Sequence, residues 1–186
     1  MNGDWEIGTT ADSLDRFARA VIELSNGTRV SLVDRRALSS ITLDKEGSSS
    51  LPKLGREASD PALDADYLLE VLKRKKIPIK PALMDQSLVA GLGNIYVAEA
   101  LWEAELDPRT AAAKVSKGNL EELVAAIRLV LSPRKRRPGR YTATRGVSRF
   151  AVYDREGKIC RRCGGIIERI VQAGRSTYFC PKCQRN

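Results

Sequence analysis

The chain has 186 residues, enough for one or two domains with a hydrophobic core, and its formal net charge is +9. The charge is uneven: residues 134–186 hold 15 lysines and arginines against 3 acidic residues, whereas residues 1–133 hold 17 against 20, so the C-terminal part indicates an anionic partner, most often nucleic acid. The sequence contains no histidine, which excludes Ser-His-Asp and Cys-His hydrolases.

The first part of the chain, residues 1–45, predicts β structure. Residues 19–24 and 28–33 resemble strands around Ser25-Asn26-Gly27, a strong signal for a tight hairpin. Residues 38–43 predict a further strand. So few strands do not close a sheet, and an isolated hairpin is only marginally stable. We therefore expect this region to pack on something else or to be part of a larger domain.

A turn-rich stretch, residues 46–62, predicts a linker. A helix is expected over 65–76, capped by Asp64, and its basic end at residues 73–76 either contacts an anion or is a solvated end favoured by the helix dipole. Its apolar face comprises Tyr67, Leu68, Val71 and Leu72.

Two short helices are predicted next, near 79–85 and 95–104, around a glycine-containing turn. Asn94 stands at the expected N-cap of the second helix. The free N–H groups at a helix start favour an anion, so this turn is a candidate clamp for a phosphate, with Lys80 nearby. The alternative is an ordinary helix–turn–helix in which Asn94 serves only as a cap.

A third helix is predicted over 116–131, starting near Ser116, and a Pro/Gly/Arg-rich loop over 133–149 follows it. Six apolar residues of this helix are expected to face inward: Leu120, Leu123, Val124, Ile127, Val130 and Leu131. Five basic residues make the loop a candidate phosphate contact: Arg134, Lys135, Arg136, Arg137 and Arg140.

Four cysteines form two CxxC pairs near the C-terminus: Cys160, Cys163, Cys180 and Cys183. This spacing predicts one structural Zn²⁺ bound by four thiolates, with an Fe–S centre as the less favoured metal. Two disulfides or four buried thiols are the non-metal alternatives. Strand-like residues 166–172 and 176–179 flank a turn at 173–175, which predicts a metal-bound hairpin with Arg175 at its tip. Arg175 then either binds phosphate or is a solvated surface arginine.

Two of these stretches resemble one protein family. Residues 84–96 resemble the helix–two-turn–helix of the formamidopyrimidine-DNA glycosylase / endonuclease VIII family, and residues 174–184 resemble the end of its zinc finger. The resemblance implies an α+β fold with a partial β-sandwich remnant, a helix–two-turn–helix domain and a C-terminal zinc β-hairpin. The expected parts are a remnant of the N-terminal catalytic β-sandwich (1–45), a linker (46–62), the DNA-binding domain with its basic loop (63–150) and the zinc finger (151–186).

The same resemblance implies roles for individual residues. Lys80, Asn94 and Arg175 match residues that grip phosphates flanking the lesion, and Lys75 matches a further DNA-contacting lysine. The arginine at the position of Arg175 also serves the second, δ, elimination in family enzymes. Arg36 resembles the arginine that enters the duplex and faces the orphaned base after the damaged nucleotide is flipped out.

Three features depart from the family pattern. The residues after Arg36 are Ala37 and Leu38, where the family often has an aromatic wedge, and residues 138–149 are short for a lesion-capping loop. Met1 aligns with a third void-filling residue. Family enzymes begin with a proline nucleophile followed by glutamate, and these residues and a sandwich lysine have no counterparts here. We therefore expect an N-terminally truncated chain or a misassigned start codon.

Two functions follow from the sequence. The first is the DNA-binding part of a bifunctional DNA glycosylase and abasic-site lyase in base excision repair, inactive alone. The second is a non-catalytic module that holds damaged DNA; a zinc ribbon like that of some aminoacyl-tRNA synthetases is disfavoured by the helix–two-turn–helix. The expected partner is double-stranded damaged DNA, bound by a monomer. No membrane span or signal peptide is predicted, so a cytoplasmic, nucleoid-associated location is expected.

Overall fold

The computed structural model describes residues 3–47, 49–132 and 150–185. It divides into two compact units, with the boundary between Leu51 and Pro52. The predicted basic loop at 133–149 and the void-filling role of Met1 lie outside the described residues.

The first unit is a three-stranded antiparallel sheet. Its strands are β1 (Gly3–Thr9), β2 (Ala18–Glu23) and β3 (Thr28–Asp34), in the order β1-β3-β2. The β2–β3 hairpin confirms the sequence prediction, and its turn contains Gly27 at a φ of 81°, which glycine adopts without strain. Trp5 pairs with Leu32 and Ile7 with Val30, so one face of this sheet is apolar.

The predicted strand at residues 38–43 is wrong. These residues have no strand partner among the described residues, and Leu43 is 98% exposed. The reason is local, because the N–H groups of Leu38 and Ser39 donate to the side chain of Asp34 at 2.8 Å. Those donors are therefore not available for a strand ladder.

The second unit is mainly helical. It comprises α1 (Ala65–Leu72), α2 (Ile79–Met84), α3 (Asn94–Glu103), α4 (Lys117–Leu131), a 3-10 turn (Ala112–Lys114), and a two-residue parallel pair formed by β4 (Arg56–Glu57) and β5 (Val89–Ala90). Leu68, Leu83, Leu101, Leu123 and Ile127 are among the side chains that fill its core. No helix among the described residues is long and apolar enough to cross a membrane.

The helix boundaries follow local hydrogen bonds. Asp64 caps α1 by accepting the N–H of Tyr67 at 2.8 Å, and Ser116 caps α4, as the sequence predicts. Helix α1 ends at Leu72 rather than at residue 76. Beyond it the N–H of Lys75 donates to the carbonyl of Leu72, three residues back, and the carbonyl of Lys75 accepts the N–H of Ala113. The end of the predicted linker belongs to the helical unit, because Ala58 is buried in its core.

The C-terminal hairpin consists of β6 (Glu168–Gln172) and β7 (Arg175–Phe179). Its two-residue turn, Ala173-Gly174, has φ values of 46° and 70°, the pattern of a type I′ turn whose twist matches that of paired strands. Arg175 is therefore the first residue of β7, paired with Gln172, rather than part of the turn.

Candidate metal centre and anion site

The four cysteines form one structural zinc site. Their Sγ atoms all lie within 4.8 Å of one another. The Sγ–Sγ distance is 3.4 Å between Cys163 and Cys180 and 3.9 Å between Cys160 and Cys183. A tetrahedron of Zn–S bonds near 2.3 Å places sulfurs about 3.8 Å apart, so the geometry fits the metal. None of the four forms a disulfide, which contradicts the disulfide alternative.

Neighbouring groups support this site. A Cβ on Gly165 would lie 2.9 Å from Cβ of Lys182 and 3.3 Å from Sγ of Cys180, so only glycine fits there. The indole N–H of Trp102 donates to Sγ of Cys160 at 3.4 Å. Burial opposes ionisation of Cys160, but the N–H groups of Cys163, Trp102 and Arg162 outweigh it and lower its pKa to about 6. Burial raises the pKa values of Cys180 and Cys183, so a bound metal ion has to keep these two ligands deprotonated.

The metal-binding region is attached to the end of α3. Arg162 stacks on the ring of Trp102 at 3.9 Å and donates to the carbonyl oxygens of Trp102 at 2.6 Å and Glu103 at 3.2 Å. Gln184 donates to the carbonyl of Leu106 at 3.0 Å. The bond to Glu103 uses the carbonyl of the last helical residue, one of the groups that a helix end leaves without a partner inside the helix. These contacts therefore fix the metal-binding region against the end of helix α3.

At the other end of α3, three elements meet at the carbonyl of Ser176. Nζ of Lys80 in α2 donates to Oδ1 of Asn94 at 2.6 Å and to the Ser176 oxygen at 3.5 Å. Nδ2 of Asn94 in α3 donates to the same oxygen at 3.1 Å. Since Ser176 follows Arg175 in β7, the structure brings together Lys80, Asn94 and Arg175, three of the residues singled out in the sequence.

Lys80 is a buried cation without a carboxylate partner among the residues that the structure describes. The residue is 0% exposed, and its third donor contact is Sδ of Met84 at 3.6 Å. Burial, followed by repulsion from Arg175, lowers the pKa of Lys80 to about 8. Among the described residues no acidic side chain forms an ion pair with it. Asn94 is partly buried and Arg175 is exposed, so these two side chains are more accessible from solvent than Lys80.

Asn94 is not the N-cap of α3, contrary to the sequence prediction. Gly93 occupies the N-cap position, and Asn94 is the first helical residue. Its amide makes no capping bond because Oδ1 accepts from Lys80 and Nδ2 donates to Ser176. The amide is thus used between elements, and the N–H groups of the first turn of α3 are left without a side-chain cap.

The turn between α2 and α3 depends on Gln86, which the sequence analysis missed. Its Nε2 donates to the carbonyls of Met84 and Leu92, both at 3.2 Å, and its Oε1 accepts the N–H of Gly91 at 2.9 Å. Gly91 has a φ of 77°, and a Cβ there would lie 2.6 Å from Oε2 of Glu57. The only sequence feature that could have indicated this role of Gln86 is the position of an amide residue just after a short predicted helix.

Glu99 is a second residue that the sequence analysis missed. Its carboxylate accepts the N–H groups of Ala151, Val152 and Tyr153 at 2.7, 2.9 and 3.0 Å. These bonds attach the start of the finger region to the middle of α3.

The two remaining predicted site residues belong to other parts of the chain. Lys75 is half-buried and forms an ion pair with Asp85 at 3.8 Å. Arg36 is exposed and lies in the first unit, on the turn after β3.

The sequence and structure were compared with known proteins. Residues 54–137 match the family of the formamidopyrimidine-DNA glycosylase H2TH domain, and residues 157–186 match that of the zinc finger found in FPG and IleRS. A formamidopyrimidine-DNA glycosylase of Erythrobacter litoralis is 40% identical over 201 aligned positions, which cover 100% of this chain and 72% of the relative. One from Chelativorans is 46% identical over 159, which cover 76% of this chain but only 54% of that protein.

Solved structures of Fpg proteins are also similar to this chain. The Fpg of Lactococcus lactis in complex with DNA containing an abasic site is 28% identical, with a TM-score of 0.79, and the match covers 100% of this chain and 73% of that one. MutM (Fpg) of Thermus thermophilus is 32% identical with a TM-score of 0.81, over 99% of this chain and 73% of the other.

Proposed function

Because the chain belongs to the formamidopyrimidine-DNA glycosylase / endonuclease VIII family, we propose that it acts in DNA repair by binding damaged double-stranded DNA. The neighbouring structures include proteins bound to DNA with an abasic site and to DNA containing 8-oxo-G, which supports this class of partner. We further propose that the 186-residue chain binds as a monomer in the cytoplasm.

One observation carries the proposal: the cations of Lys80 and Arg175 lie close enough to repel each other, and the described structure gives neither an acidic partner. A buried charge without a counterion is costly, and a phosphate at this place supplies the missing negative charge. The zinc-bound hairpin provides Arg175, and the helix–two-turn–helix provides Lys80 and Asn94. Phosphate binding by this cluster is therefore favoured over a purely structural role.

In this proposal the contacts are divided between the three residues. Arg175 offers its exposed guanidinium fork to two phosphate oxygens. Asn94 has one Nδ2 hydrogen not used by Ser176, and it lies beside the uncapped N–H groups at the start of α3. Lys80 acts from behind, because its ammonium group keeps Oδ1 of Asn94 turned inward and adds positive charge.

Asn94→Asp tests the cluster directly. A carboxylate at this place pairs with Lys80 and repels phosphate, so we expect the dissociation constant for an abasic duplex to rise about tenfold or more. Asn119→Asp makes the same charge change in the exposed first turn of α4 and is the matched control. Equal losses in both variants would show that net charge alone decides binding and would reject the proposed cluster.

Excision of a damaged base remains a separate proposal. By resemblance, Arg175 serves the δ-elimination, and the proline nucleophile has no counterpart among these 186 residues. We expect a polypeptide of these residues to bind abasic DNA without forming a covalent adduct under borohydride. Binding without trapping supports the non-catalytic module for this polypeptide, whereas a trapped adduct supports a lyase with another amine as its nucleophile.

A further inference from the structure

The turn after β3 is organised by one buried carboxylate, that of Asp34, which is 3% exposed. Its Oδ1 accepts the N–H of Arg36 at 2.9 Å. Its Oδ2 accepts the N–H groups of Leu38 and Ser39, both at 2.8 Å, and the hydroxyl of Ser39 at 2.7 Å. Four donors of a single turn therefore end on one side chain.

The backbone of this turn needs such support. Ala37 has a φ of 52°, in the left-handed region, which costs a residue with a Cβ about 1–2 kcal/mol. Strained conformations of this kind persist only where the surroundings determine them. The bonds from Asp34 to Arg36 and to Leu38 hold the residues on both sides of Ala37.

Asp34 is itself held in place by contacts with the sheet. It is the last residue of β3 and pairs with Gly3 of β1, and its carbonyl accepts Nε of Arg19 at 2.8 Å. A Cβ on Gly3 would lie 3.0 Å from Oγ of Ser39, so the glycine leaves room for the hydroxyl that bonds to Asp34. The sheet therefore fixes the position of Asp34, and through it the position of the turn.

The two adjacent arginines of the turn differ. The guanidinium of Arg35 lies 4.9 Å from the ring centre of Phe17, whose ring also carries Arg16 at 4.5 Å. Arg36 has no such ring contact among the described residues and is exposed. The turn thus holds Arg35 against the unit and leaves Arg36 available for a partner.

We infer that Asp34 is a positioning residue for Arg36, holding the turn in the one backbone conformation from which the Arg36 guanidinium enters a damaged duplex. The inference rests on the proposed function and on the role that the family resemblance implies for Arg36, and it extends both to the residue that orders the turn. A turn ordered in advance loses less conformational entropy on binding. The hydroxyl of Ser39 and the N–H of Arg36 hold the pKa of Asp34 well below its usual range, so the acceptor stays ionised near neutral pH.

The test uses the full 186-residue chain and two duplexes, one intact and one with a tetrahydrofuran abasic analogue opposite 2-aminopurine. The measured quantities are the ratio of the two dissociation constants and the 2-aminopurine fluorescence, which reports unstacking by an inserted side chain. Asp34→Ala is expected to lower the preference for the abasic duplex about tenfold while changing binding to the intact duplex less than about twofold. Arg36→Ala is expected to do the same, and the double variant to lose nothing further.

Asp12→Ala is the matched control. Asp12 follows β1 at the opposite end of the sheet, and its carboxylate accepts the N–H and the hydroxyl of Thr9, so this variant also removes a turn-binding carboxylate. It should keep the wild-type preference. Asp34→Asn, which retains a neutral acceptor, is expected to show an intermediate loss and replaces Asp34→Ala if circular dichroism shows that the alanine variant does not fold.

The outcomes separate the two proposals. A wild-type chain that does not prefer the abasic duplex overturns the proposed function. A wild-type preference that both Asp34 variants retain, or losses from Asp34→Ala and Arg36→Ala that simply add, overturns the positioning role alone.

Discussion

At Lys80 a charged group is kept from solvent, and its hydrogen-bond acceptors in the described part of the chain are an amide oxygen, a carbonyl and a thioether. Such a site disfavours the ammonium form unless a negative charge is brought to it. In the proposed function, a phosphate bound at Asn94 and Arg175 therefore favours the charged form of Lys80.

This gives a pH prediction at the residue scale. The pKa of Lys80 is about 8 in the free protein, and a bound phosphate raises it, so DNA binding takes up a proton above about pH 8. Affinity for duplex should fall as pH rises from about 8 to 10, by at most about tenfold per pH unit. Lys80→Met should bind more weakly at pH 7 and lack this pH dependence. A wild-type affinity that is flat over this range would contradict the lowered pKa.

The same group has the opposite effect on folding. The unfolded chain holds its proton up to the ordinary value of 10.5, so between pH 8 and 10.5 the unfolded state binds more protons than the native state. The contribution of Lys80 to the free energy of unfolding therefore rises with pH over this window, while DNA affinity falls. Opposite trends in urea denaturation and DNA binding would identify Lys80 rather than general alkaline unfolding.

At the scale of elements, the zinc hairpin and helix α3 depend on each other. The finger bonds to both ends of α3, through Ser176 at its start and Arg162 at its end. The metal stabilises the hairpin, and the hairpin provides the carbonyl to which Lys80 and Asn94 bind. Loss of zinc should therefore also disturb the proposed anion site, including Lys80 and Asn94, which lie in helices outside the hairpin.

Gly165→Ala tests this coupling. The added Cβ crowds Lys182 and Sγ of Cys180, so we expect weaker zinc retention in a chelator competition and a parallel loss of DNA affinity. Gly118→Ala is the control, since a Cβ added at this position of α4 would have no neighbour within 4 Å, and the variant should gain about 0.5–1 kcal/mol of stability. Zinc loss without any change in DNA binding would show that the anion site does not need the metal.

At the scale of the whole molecule, the charge distribution sets how binding depends on salt. The net charge of +9 and the basic C-terminal part predict a steep fall in duplex affinity with rising salt concentration. Such binding is partly independent of DNA sequence, and in our proposal Arg36 contributes the specificity for damage.

Arg175→Ala measures the share of one phosphate contact. We expect weaker binding to all duplexes and a plot of log affinity against log salt that is less steep by about 0.9, the value for one phosphate. Zinc content should stay unchanged, because the structure shows no contact between Arg175 and the four cysteines among the described residues. A reduced zinc content would place Arg175 in the folding of the hairpin instead.

The amino-acid sequence by itself determined the features that depend on neighbours along the chain. The two CxxC pairs specify the metal centre, Asp64 and Ser116 specify helix starts, and Ser25-Asn26-Gly27 specifies the hairpin of the first unit. Covalent spacing and local hydrogen bonding are sufficient for these, because all the groups involved lie within a few residues or within one short motif.

Only the tertiary structure decided which groups are buried and where their hydrogen bonds end. Lys80 is buried there, and the Asn94 amide bonds to other elements instead of capping its own helix. Both side chains contact the carbonyl of Ser176, which lies 82 positions beyond Asn94 in the chain. The tertiary structure also directed the donors after β3 to Asp34 instead of to a strand. Burial and long-range hydrogen bonds depend on elements far apart in the chain, so no local pattern specifies them.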